Sequence, residues 1–124
     1  MIDEVARRAT SASPYWAGIV RDDLVEVPVY GPLCADRFAL GMEQIHEGYL
    51  VHHRMSRAFA PRDAEQRILL GDHLYALGLA DICQAGELHA VAALAELIAR
   101  VSDLRARGED DVPALWRATA EALA

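Results

Sequence analysis

The sequence predicts an all-α fold, a single-domain bundle of about five or six helices. Three observations lead there. After residue 32, apolar residues recur at steps of three and four, the spacing of one helix face. No segment alternates apolar and polar residues as a half-buried strand would, and no internal repeat is visible. The chain has 124 residues, 53% of them hydrophobic, enough for one core and too few for two domains.

The elements follow from the punctuation. Pro14, Pro28, Gly31 and Pro32 break up residues 1–31, which read as an irregular N-terminal segment with one or two short helices. Val5, Tyr15, Trp16, Ile19, Val20 and Leu24 are its apolar anchors, and residues 25–30 suit an extended chain. The main helices occupy residues 32–124. From Pro32 to about Phe59, one face carries Phe38, Met42, Ile45, Tyr49 and His52/His53, and Gly41 and Gly48 weaken the helix or allow close packing against it.

Arg62 to Ala85 is apolar nearly all round, which predicts a central, buried helix stopped by Gly86. Glu87 to Arg107 is a third helix, with Leu88, Val91, Leu94/Ala95, Ile98, Val101 and Leu104 toward the core. Its terminal charges match the helix dipole, Glu87 at the start and Arg105/Arg107 at the close. A last short helix has Pro113 in its first turn and Leu115, Trp116 and Leu123 on its apolar side.

Composition narrows the chemistry. The net charge of -7 argues against nucleic acid or an anionic membrane as partner. All 12 basic residues are arginine, so neither a Schiff-base lysine nor a lysine phosphate clamp is available. Two cysteines, Cys34 and Cys83, make no disulfide scaffold, and Cys83 lies in an apolar run that predicts inert packing. Met1–Arg8 lacks the apolar stretch of a signal peptide, and no run of about 20 apolar residues would span a membrane. The expected compartment is the cytoplasm.

The densest group of possible ligands is Glu43, His46, Glu47, His52 and His53. Glu43–His46 has the Glu-x-x-His spacing used by ferritin-like metal bundles, but there is one copy only. Asp72, His73, Asp81, Glu87 and His89 stand at the wrong spacings to complete it. His52 and His53, adjacent on a helix, point about 100° apart and cannot both join His46. The expectation is therefore of partly buried, hydrogen-bonded histidines and no metal on this chain, a small helical metal-binding protein or an unassigned helical interaction protein remaining the alternatives. The acidic runs at residues 21–23 and 109–111 read as solvated turns.

Two segments resemble a known family. Glu43–Ser56 resembles the helix of trans-prenyl diphosphate synthases that ends in an aspartate-rich motif, and Arg67–Ala76 resembles that family's next helix. Leu70-Gly71-Asp72-His73-Leu74-Tyr75, then Gln84–Glu87 and Leu94–Arg105, are more similar to the small subunit, component I, of two-component heptaprenyl and long-chain polyprenyl diphosphate synthases. The resemblance covers about a third of the chain, with His73 where the family tends to have Tyr. At the positions of the magnesium-binding carboxylates stand His53, Arg54 and Ser56.

The resemblance implies a prenyl synthase-like fold and a non-catalytic subunit. Such a subunit pairs with a catalytic large subunit that carries the Mg2+ and helps set product chain length, in isoprenoid and menaquinone side-chain synthesis. Leu70, Leu74, Leu77, Leu94, Ile98 and Val101 are the candidate partner or tunnel face, and self-association is a further expectation from the apolar surface a small bundle would leave uncovered.

Overall fold

A computed structural model describes residues 1–109 and 111–124. Among them the chain is helical, with no strand: α1 (Ile2–Ala12), α2 (Asp36–His52), α3 (Ala64–Gln84), α4 (Leu88–Ala106) and α5 (Val112–Ala122), plus 3-10 turns at Pro14–Ile19 and Gly31–Leu33. The all-α expectation holds.

In α1, Ile2, Val5, Ala6 and Ala9 form the buried stripe, and Asp3 and Glu4 favour the positive end of the helix dipole. No adjacent side chain caps α1. Instead the carboxylate of Glu26 reaches back, accepting from the Met1 ammonium at 2.5 Å, the Ile2 amide at 2.6 Å and the Asp3 amide at 2.8 Å.

The largest correction concerns the centre of the molecule. The central helix is α2, not α3: residues 41–49 are buried without a break, including Glu43, Gln44, His46 and Glu47. α3 buries only Leu70, Gly71, Leu74, Gly78 and Ile82, and its Ile68 and Leu69 are 57% and 52% exposed. Apolar content pointed to α3 because α2 fills its interior with ion-paired carboxylates rather than with leucine. α2 is also shorter than the expected 32–59. It ends at His52, and residues 53–59 fold back onto it through bonds to Glu47.

α2 and α3 run antiparallel with their backbones almost touching. A Cβ on Gly48 would lie 2.8 Å from the carbonyl oxygen of Gly71, and one on Gly78 would lie 2.8 Å from that of Gly41. Two glycines seven residues apart on each helix thus make one smooth seam.

Two apolar clusters lie around α2. One joins Phe38, Met42, Ile45 and Tyr49 to Ile82, Leu94, Leu97, Val101, Val112, Trp116 and Leu123. The other gathers Ile2, Val5, Trp16, Ile19, Val51, Phe59, Leu70 and Leu74. On α4 the core face is Ala90, Leu94, Leu97 and Val101; Leu88, expected inside, is 80% exposed at the helix start. No helix among the described residues is long and apolar enough to cross a membrane.

Candidate functional site

The predicted ligand group on α2 resolves into three environments. The first is an ionic network. Glu43 and Glu47, one turn apart and both fully buried, share Arg57. The Arg57 Nη1 donates to Glu43 at 2.6 Å and its Nε to Glu47 at 2.9 Å. The other Glu43 oxygen accepts the backbone amides of Val29, Tyr30 and Gly31 at 3.0, 2.8 and 2.6 Å. Glu47 accepts the Ser56 hydroxyl and the amides of Arg57 and Ala58. Two carboxylates on one helix therefore fasten two irregular segments to it. Occupied in this way, neither is free to act as an acid, a base or a metal ligand.

The second environment surrounds His46. Its ring lies edge-on to Tyr30 and Trp116, with centroids 4.8 and 5.1 Å away, and parallel to Tyr49. Burial, with the Arg57 guanidinium behind it, pushes the imidazole down to about 4, so it is neutral at pH 7. These rings wall a cleft of about 340 Å³ with Arg105 at its side. Contrary to expectation, the His46 Nδ1 has no hydrogen-bond partner among the described residues, and neither does the Trp116 Nε1.

The third environment is the end of α2. His52 turns toward α3, its Nε2 lying 3.3 Å from Asp72 and 3.2 Å from the Ile68 carbonyl oxygen. His53 turns toward α4, 3.5 Å from Arg105, and burial, with Arg105 and His52 beside it, lowers its pKa. The two point apart. No three His, Cys, Asp or Glu residues come together as a metal-holding group among the described residues.

The remaining candidates are dispersed. The His73 Nδ1 accepts from the Trp16 indole at 3.0 Å, Asp81 pairs with Arg8, and Glu87 with Arg37. Cys34 is buried, its thiol pushed up to about 11 mainly by burial. Cys83 is exposed, a correction to its expected packing, because α3 turns Gly78 and Ile82 inward and leaves Cys83 outside. Of the run at 109–111, Asp110 lies outside the described residues.

The six apolar candidates do not form one face. Leu70 and Leu74 are fully buried in one cluster and Leu77 packs against it, whereas Leu94 and Val101 are buried in the other with Ile98 at its margin. Arg57, the pivot of the network, escaped sequence reading because its partners are separated from it by 10 and 14 residues across a break in the helix.

No family model, curated protein or solved structure matches the chain.

Proposed function

We propose that this chain is a non-catalytic helical subunit that works beside the catalytic subunit of a long-chain polyprenyl diphosphate synthase and helps set product length. The observation that supports this reading is the fate of the α2 carboxylates. Magnesium-assisted departure of diphosphate from an allylic substrate needs oxygen ligands clustered at an open surface. Here Glu43 and Glu47 face inward onto Arg57, and the end of α2 offers His53, Arg54 and Ser56. The magnesium, the allylic substrate and the chemistry belong to the partner subunit. The natural setting is cytoplasmic isoprenoid synthesis, with menaquinone side chains as the product class.

Four of the six candidate face residues are inside this subunit, so the docking surface is better sought on the outer side of α3, where Ile68 and Leu69 stand next to each other and exposed. The test is reconstitution. The chain is co-expressed with a full-length synthase subunit encoded beside it, and prenyl transfer from farnesyl and isopentenyl diphosphates is followed with and without it. The expected result is no product from the chain alone and longer product from the pair. Replacing Ile68 and Leu69 with Asp should release the partner while circular dichroism stays unchanged. Turnover by the pure chain would overturn the reading, as would indifference of the synthase to its presence.

A further inference from the structure

Gln44 stands on the buried stretch of α2, next to the ion-paired Glu43, and is 0% exposed. Its carboxamide carries an acceptor, Oε1, and a donor group, Nε2, and neither finds a hydrogen-bond partner among the described residues. Glutamine is seldom fully buried, and a bare carboxamide in a core costs free energy that leucine or methionine there would not. No other described side chain leaves both a donor and an acceptor unpaired in the interior. An orphaned polar group at the centre of a fold calls for a physical reason.

A cleft supplies one. Between α1, α2 and α3 lies a space of about 320 Å³, within the range of small-molecule sites, and Gln44 is the part of α2 that lines it. Leu77 and Asp81, one turn apart, line it from α3, and Arg7, Arg8 and Ser11 from α1. The space is left because the buried stripe of α1 stops at Ala9, and its last turn, with Ser11, is exposed. Arg8 ties the two outer helices together, its Nη1 donating to both Asp81 oxygens at 2.8 and 2.9 Å.

The charges around the cleft satisfy one another. Asp81 is taken by Arg8, whose Nε also donates to Glu4 at 3.2 Å, and the Arg7 Nε donates to Glu4 at 2.7 Å. An incoming ion would have to break one of these pairs. The unused hydrogen-bonding capacity is that of Gln44, which is neutral and holds acceptor and donor side by side. Its complement is a neutral group with a donor and an acceptor on one edge. Primary carboxamides and ring amides have that form. A carboxylate offers acceptors only, and a trans peptide points its N–H and C=O in opposite directions.

We propose that this cleft binds a small neutral molecule bearing a primary carboxamide or a lactam, its amide edge paired with Gln44 and its apolar part against Leu77. The site belongs to this chain alone and does not rest on the subunit role proposed above.

Heteronuclear NMR of the isotope-labelled full chain tests it, with benzamide and pyrrolidone as probes and benzoate and N,N-dimethylbenzamide as controls. Saturable binding of at least one probe at millimolar concentration is expected, moving the side-chain NH2 signal of Gln44. Both controls lack the donor and should bind about tenfold more weakly or worse. Gln44→Met keeps the side-chain length and removes both polar atoms, so it should fold with an unchanged helical spectrum and lose the binding. Ser11→Trp fills the cleft from an exposed position, leaves the core untouched, and should weaken binding by a similar factor. Gln84→Met, exposed at the end of α3, should change nothing. The proposal is overturned if neither probe binds, which would leave water as the occupant. It is equally overturned if the controls bind as well as the probes, or if either cleft variant, folded, binds as the parent does.

Discussion

Arg57 is one cation between two buried carboxylates, and its removal would leave both charges without a counter-ion in the centre of the molecule. Breaking a buried pair from one side costs about 3–5 kcal/mol, because the uncompensated charge must stay desolvated. Arg57→Met, similar in bulk and uncharged, is therefore expected to lose about that much stability in urea unfolding. A loss below about 1 kcal/mol would mean that the backbone amides alone hold Glu43 and Glu47. His46 makes a second residue-scale prediction. Its pKa is held at about 4 in the fold against an ordinary value of 6.5, so the unfolded chain binds the extra proton between those values. Stability should be fully present above pH 6.5 and fall by about 3 kcal/mol as the pH drops toward 4. His53, lowered in the same direction, adds to the fall. His46→Phe should flatten most of this slope in pH-dependent denaturation; an unchanged slope would remove His46 as its source. The grouping of Glu43, His46 and Glu47 was legible in the sequence. Their roles were not, because what each carboxylate binds is set by residues 27–31 and 56–58, which approach only in the folded chain.

Among the elements, the α2–α3 seam is the most sensitive. A methyl at Gly48 or Gly78 would meet a backbone carbonyl oxygen at 2.8 Å, and backbone cannot swing aside as a side chain can. Gly48→Ala and Gly78→Ala should each destabilise by about 1–3 kcal/mol, although alanine is the better helix former. A gain in melting temperature from either variant would show that the helices separate at little cost. Helix positions were largely legible: α3 and α4 lie within a residue or two of the expected bounds, because Gly86 ends α3 at φ 80 and apolar spacing marks the rest. The end of α2 was not legible. Residues 53–59 contain no glycine, and the break at Arg54 comes from the pull of Glu47 on the following amides. The inward face of α4 was misjudged at Leu88 and missed Leu97, since the apolar residues of that helix are plentiful on more than one side.

At the scale of the whole molecule, the surface is no larger than that of an ordinary compact monomer, and Ile68 and Leu69 stand exposed on it. The accessible surface is 6502 Å², close to the roughly 6,600 Å² of a compact monomer of 13.6 kDa. Nor do the two apolar clusters amount to two folding units. Both are built on α2: Phe38, Met42, Ile45 and Tyr49 face one, and Val51 belongs to the other, with the Arg57 network between loops that touch both. Neither cluster can lose its packing without exposing part of the same central helix and its buried charges. The isolated chain should therefore unfold in one transition, with calorimetric and van't Hoff enthalpies equal. Leu74→Ala probes one cluster and Leu94→Ala the other, each at a fully buried site and each expected to cost about 2–5 kcal/mol. Both should lower the same single transition, and because the two leucines lie in different clusters, the double variant should show the sum of the two effects. A Leu94→Ala protein that melts in two steps, losing α4 and α5 while α1 and α3 remain folded, would show that α2 does not couple the halves.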